Sequence, residues 1–120
     1  MPNESDKTQW KDFLTAFSRR NRLRRARLEQ FNQQQVVEEN QEAQLERIAV
    51  ELSGADAPLV IITRLDNSTM ESQVIVNSIP HVQRISSQLD TDHSESGLEI
   101  ENKDRVLTIL RMESMVDGAS

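Results

Sequence analysis

The chain has 120 residues and carries 14 lysines and arginines against 20 aspartates and glutamates, a net charge of −6. That length makes one domain with a modest core, and the absence of cysteine excludes disulfides, thiol nucleophiles and cysteine-ligated metal centres. With one Trp, three Phe and no Tyr, the core must be built mainly from Leu, Ile and Val, a composition that favours strands.

The polar ends, residues 1–7 and 114–120, read as disordered tails around a single domain over 8–113. Thr8 is the expected N-cap of a helix whose apolar positions Trp10, Phe13, Leu14 and Phe17 follow i, i+3, i+4, i+7. Three of the four aromatics lie on that stripe, so the helix is expected to face a core. After Asn21 the period becomes two: Ala26 and Leu28 alternate with Arg25, Arg27 and Glu29, and Phe31 falls out of phase, the mark of a bulge or a strand end. Residues 33–46, rich in Gln and Glu, read as loop or short strand, whereas Ile48, Val50 and Leu52 predict a strand over 47–52 ending at Ser53-Gly54.

Leu59 to Arg64, after Pro58, is a nearly unbroken apolar run and predicts a central strand covered on both faces. Further strands are expected over Gln73 to Ile79, stopped by Pro80; over Val82 to Leu89, with Ile85 and Leu89 to one side; around Leu98 and Ile100; and, after the turn at Asn102-Lys103-Asp104, over Val106 to Met112. One amphipathic helix followed by about five to seven short strands predicts an α+β fold: the helix packed on a curved antiparallel sheet or incomplete barrel.

Several of these pieces, Trp10-x-x-Phe13-x-x-x-Phe17-Ser18-Arg19-Arg20, Ile79-Pro80-His81, Leu98-Glu99-Ile100-Glu101 and Leu107 to Arg111, resemble a small, uncharacterised bacterial single-domain family catalogued as a domain of unknown function. The resemblance implies one helix followed by short strands, and Trp10, Arg19, Arg20 and His81 as parts of a shared surface or core. It implies no activity, cofactor or partner. The chain departs from the family pattern in having no second proline over Val82 to Arg84 and in carrying Arg22, Arg24, Arg25 and Arg27 beyond the first pair.

The basic run is the main candidate site. Residues 1–27 hold eight Lys/Arg against three Asp/Glu, a local +5, while the remainder is −11. Arg19, Arg20, Arg22, Arg24, Arg25 and Arg27 are therefore expected either to pair with acidic residues such as Glu38, Glu39, Glu42, Glu46 and Glu51, or to bind an acidic protein surface or a second copy of the chain. RNA or DNA binding through Arg19 to Arg27 is disfavoured by the acidic total and by the lack of aromatics interleaved with the arginines.

Asp90, Asp92, Ser94, Ser96 and Glu101 occupy positions 1, 3, 5, 7 and 12 of a calcium-loop template, but Glu95 stands where the loop needs Gly, so the segment reads as an acidic hairpin loop and no metal is expected. Of the two histidines, His81 and His93, His81 is the candidate for a ligand-binding or proton-transfer role at the mouth of a small barrel. Three scattered glycines make no phosphate loop, and no cofactor is expected. No run approaches the ~20 apolar residues of a membrane span, and the start lacks a secretory h-region. The expectation is a cytoplasmic, non-catalytic interaction module without membrane association.

Overall fold

The computed structural model describes residues 8–32, 35–67, 69–89 and 95–113, with the backbone alone over 35–41. Helix α1 (Thr8–Asn21) precedes seven strands: β1 (Arg25–Asn32), β2 (Gln35–Glu51), β3 (Leu59–Asp66), β4 (Gln73–Ile79), β5 (Val82–Leu89), β6 (Glu95–Asn102) and β7 (Val106–Met112). They form one sheet in the order β4-β3-β2-β1-β7-β6-β5, every neighbouring pair antiparallel. The α+β architecture expected from the helix stripe and strand alternation is the one observed.

The sheet is open, with β4 and β5 as its edges, yet those edges are consecutive in the chain and only Pro80 and His81 separate them. Laid flat, seven strands would hold the edges roughly 29 Å apart, whereas three Cα steps span at most about 11 Å. The sheet therefore curls until its edges meet at that corner, without hydrogen-bonding into a barrel.

β2 makes the curl. Its first part, Gln35 to Gln44, pairs with β1, and its second, Gln44 to Glu51, pairs with β3 on the other side. A register shift between Leu45 and Arg47 bends the strand where the two pairings change over. This corrects the expectation of loop or short strand over 33–46: residues 35 to 46 are strand, because pairing partners on neighbouring strands override the helix and loop propensities of Gln and Glu. Residues 33–34 lie outside the described residues. A shift between Gln30 and Phe31 accounts for the phase break expected at Phe31.

The concave face holds one core. Trp10, Leu14 and Phe17 of α1 are fully buried against Leu28, Leu45, Ile48, Val60, Ile62, Val82, Leu98, Ile100 and Leu110, with Phe13 packed at its margin. Fully burying each such side chain contributes roughly 1.5–3 kcal/mol, so the aromatic stripe closes the open side of the sheet.

Two expectations fail. β3 is covered on one face only: its even positions are buried and its odd ones half-exposed, because the helix occupies the concave side and, among the described residues, no second layer covers the convex side. Its buried face also ends in charge, with Arg64 fully buried, donating to the Ala26 carbonyl (2.9 Å) and to Asn77 Oδ1 (3.3 Å). Burial lowers the pKa of this guanidinium from its ordinary value. On β5, Ile85 is buried but Leu89 is 57% exposed; a register shift between Gln88 and Leu89 breaks the period that would have kept them together.

Candidate functional site

α1 packs on the concave side and borders the second part of β2, where β1 no longer pairs. The Leu23 N–H donates to the Leu45 carbonyl (2.7 Å) and the Leu45 N–H to the Arg24 carbonyl (2.8 Å). One turn of helix earlier, Ser18 continues the ladder: its Oγ accepts the Ile48 N–H at 2.8 Å and donates to the Leu14 carbonyl at 2.7 Å. A side chain thus takes the place of a strand, and Ser18 is buried for that reason.

A cylinder set beside a strand leaves a trough. Here it is a cavity of about 380 Å³ lined by Lys11, Thr15, Ser18, Arg19 and Arg22 from the helix side and by Glu46, Arg47, Ile48, Ala49 and Val50 from β2. The helix-side residues fall at steps of three and four, so they share one face. The register shift beside Glu46 sets Ile48 and Val50 in the same phase toward the helix, and they form an apolar floor with Ala49. Around that floor stand four cations and one carboxylate. Arg22 reaches Glu46 (3.4 Å). Among the described residues Lys11, Arg19 and Arg47 make no ion pair, and all three are exposed.

The six arginines singled out in the sequence do not form one surface. Arg20 grips Glu95 at the start of β6 with two parallel bonds, Nε to Oε1 at 2.8 Å and Nη2 to Oε2 at 2.9 Å. Buried Asn21 donates to the same carboxylate (3.0 Å) and to the Phe17 carbonyl (2.9 Å). Arg24 donates to Asn21 Oδ1 (2.8 Å), to the Glu95 carbonyl (2.7 Å) and to the Glu113 carbonyl. Together these bonds fasten the end of α1 to β6 and to the end of β7. The hydrogen bond from Arg20 holds the Glu95 carboxyl below the usual carboxylate range, aided by Asn21 and by the charges of Arg20 and Arg24, against the upward push of burial.

Arg25 and Arg27 are exposed on β1, Arg25 at 3.7 Å from Glu42 and Arg27 at 3.7 Å from Glu29. Glu29 also pairs with Arg111, which stands directly opposite Arg27 across β1 and β7. One carboxylate thereby reconciles two cations that would otherwise repel. A second cavity, about 300 Å³, is lined there by Arg27, Arg111, Glu42 and Glu113 among others and is charge-balanced. Only Arg19 and Arg22 of the six face the apolar-floored groove. Of the acidic residues expected as partners, Glu42 and Glu46 are partners; the side chains of Glu38 and Glu39 lie outside the described residues, and Glu51 makes no ion pair among the described residues.

His81 sits in the corner between the sheet edges. Its N–H donates to the Asp56 carbonyl (3.0 Å), its carbonyl accepts from the Lys103 N–H (3.0 Å), and its φ is +54°. The imidazole Nε2 is 4.0 Å from Asp56 Oδ1 and the residue lines neither cavity. Its backbone ties three turns together. Of the four residues that the resemblance groups as a shared surface or core, Trp10 is in the core, Arg19 rims the groove, Arg20 clamps β6 and His81 sits in the corner between β4 and β5. Of the calcium-loop template, residues 90–94, with His93, lie outside the described residues; Ser96 and Glu101 belong to β6, and Glu101 pairs with Arg84 (3.5 Å).

Lys11, Thr15 and Arg47 were missed in reading the sequence, although Lys11, Thr15, Ser18 and Arg22 carry a helical spacing of their own beside the aromatic stripe. Arg47 had no such signal, because its position depends on the bend in β2. Among the described residues no three His, Asp or Glu side chains are gathered to hold a metal ion, and no helix is long and apolar enough to cross a membrane. No family model, curated protein or solved structure matches the chain.

Proposed function

We propose that the protein is a non-catalytic docking module that receives an acidic, amphipathic protein segment in the groove between α1 and β2. The observation that carries this reading is the combination of an apolar floor with Lys11, Arg19 and Arg47, three rim cations without ion pairs among the described residues, in a chain whose net charge is −6. Apolar side chains of the guest would cover Ile48, Ala49 and Val50, and its carboxylates would reach the guanidinium forks. Of the arginines along 19–27, the docking role falls to Arg19 and Arg22, while Arg20 and Arg24 hold the helix in place.

The test is a selection of random peptides displayed on phage against the immobilised protein and against a Lys11→Glu, Arg19→Glu, Arg47→Glu variant. Peptides rich in Asp and Glu with interspersed apolar residues should emerge with the wild type, bind more weakly as salt rises, and be lost with the variant. Selected peptides without acidic enrichment, or with equal affinity for the variant, refute the proposal. Retention of the wild type on single-stranded RNA equal to its retention of the peptides would favour nucleic acid instead.

A further inference from the structure

The two edges of the curled sheet are built differently. β5 carries a register shift near each end and bears Arg84, devices that keep an edge strand from pairing with another chain. β4 carries none of them. It runs in continuous register with β3 over all seven of its residues, from Gln73 opposite Asp66 to Ile79 opposite Val60, and contains no charged residue. Among the described residues no strand pairs its outer edge.

Its convex side is apolar and wet. Val74 and Val76 are 66% and 57% exposed, and they stand beside Leu65 and Thr63 of β3. Leu59, Ile61, Thr63 and Leu65 share that side, so a face two strands wide holds no charge in a chain whose residues are 28% charged.

The sequence of this edge reads nearly the same in both directions, Gln73 and Asn77 being the one unequal pair. From Ser72 to Ser78 it is Ser-Gln-Val-Ile-Val-Asn-Ser, with Gln73 matched by Asn77, Val74 by Val76, and Ile75 at the centre. A two-fold axis through an antiparallel strand pair makes residue i of one copy meet residue j of the other and j meet i. With that axis at Ile75, each Val74 meets a Val76, each Gln73 an Asn77, and Ile75 meets itself. Apolar groups cover apolar groups, amides can exchange hydrogen bonds, and no like charges are opposed. An axis at Val76 would instead set each Val74 against Ser78 and leave half of the exposed apolar surface mismatched.

We infer that β4 is a self-association edge at which two copies of the chain pair antiparallel about Ile75, extending each sheet into the next. The buried guanidinia of Arg64 stand one strand back on each side, three strand spacings or roughly 14 Å apart, beyond the ~8 Å Debye length of physiological salt. Because each copy carries −6, added salt should favour the dimer, the opposite of its effect on an acidic guest in the groove.

Sedimentation velocity over a concentration series at low and high salt tests this. A monomer–dimer equilibrium is expected, shifting toward dimer with salt, and Val74→Lys with Val76→Lys should weaken it by roughly 100-fold or more, since it sets like charges opposite each other. Both positions are exposed, and unchanged circular dichroism and melting would show the variant folded. The register has a separate readout, because the natural chain has no cysteine. A mixture of Val74→Cys and Val76→Cys proteins should form the mixed disulfide on oxidation, whereas Val76→Cys alone should form little. A monomer at every concentration, a dimer indifferent to the lysines, a dimer dissolved by salt, or crosslinking of Val76→Cys with itself in preference to Val74→Cys would each overturn the proposal.

Discussion

Arg19 and Arg20 are neighbours in the chain and opposites in the fold. Arg20 turns toward β6, where Glu95, Asn21 and Arg24 complete a hydrogen-bonded clamp; Arg19 turns toward β2 and meets a trough with an apolar floor and, among the described residues, no carboxylate paired to it. The 100° step between consecutive helical residues is enough to separate them. An arginine whose donors are used inside the molecule stabilises the fold, and one whose donors are not is free to recognise something else. The contrast cautions against treating a run of like residues as one site.

The largest effect should come from breaking the clamp. Glu95→Ala leaves Arg20, Asn21 and Arg24 without their shared acceptor and should cost about 2–3 kcal/mol in chemical denaturation. Glu95→Gln sharpens the assignment through pH. Because the folded carboxyl titrates below its unfolded value of about 4.3, its contribution is complete above that pH and is lost as pH falls through the folded value. The stability gap between wild type and Glu95→Gln should therefore be clear at pH 7 and narrow toward pH 3; a constant gap would show that the charge of Glu95 is not what holds the helix end.

Next comes the wall between the two sides of the helix. Ser18→Ala removes the acceptor of a buried backbone N–H and should cost about 1–3 kcal/mol, and hydrogen exchange at the Ile48 amide should accelerate with it. Arg20→Ala should follow at about 1 kcal/mol, reduced because its side chain is 53% exposed. The smallest stability effect belongs to Arg19→Ala and Arg47→Ala, within about 0.5 kcal/mol of wild type. Those two should nonetheless weaken the acidic peptides selected by the groove, while Arg20→Ala should affect them less. If Arg19→Ala destabilised as much as Arg20→Ala, the division of the run would be lost.

Much of the architecture was legible because it rests on local periodicity. Trp10, Leu14 and Phe17 repeat at helical spacing, Ala26 and Leu28 alternate, and Pro80 and Asn102-Lys103-Asp104 punctuate, so helix, strands and several boundaries followed from the order of residues. β2 was hidden because its length is set by partners: β1 and β3 each claim one part of it, and no residue within it announces either. Buried Arg64 was hidden for the same reason, since the end of an apolar run reads as a surface until the Ala26 carbonyl and Asn77 are brought beside it. Of the candidate site, Arg19 and Arg22 were within the run singled out, but their separation from Arg20 and Arg24 was not.

By itself, the order of residues determined the helix and the strands other than the first part of β2, that the three clustered aromatics would face a lean aliphatic core, and that cations gather at the front of an otherwise acidic chain. Those are properties of spacing and composition, and they hold wherever the segments go. Tertiary structure alone decided that β2 bends between two partners, that α1 borders its second part through Ser18, and that Glu95 meets Arg20 rather than Arg19. Each joins residues distant in the chain, and the energy that fixes them, buried apolar surface and satisfied hydrogen bonds, exists only once those residues are in contact.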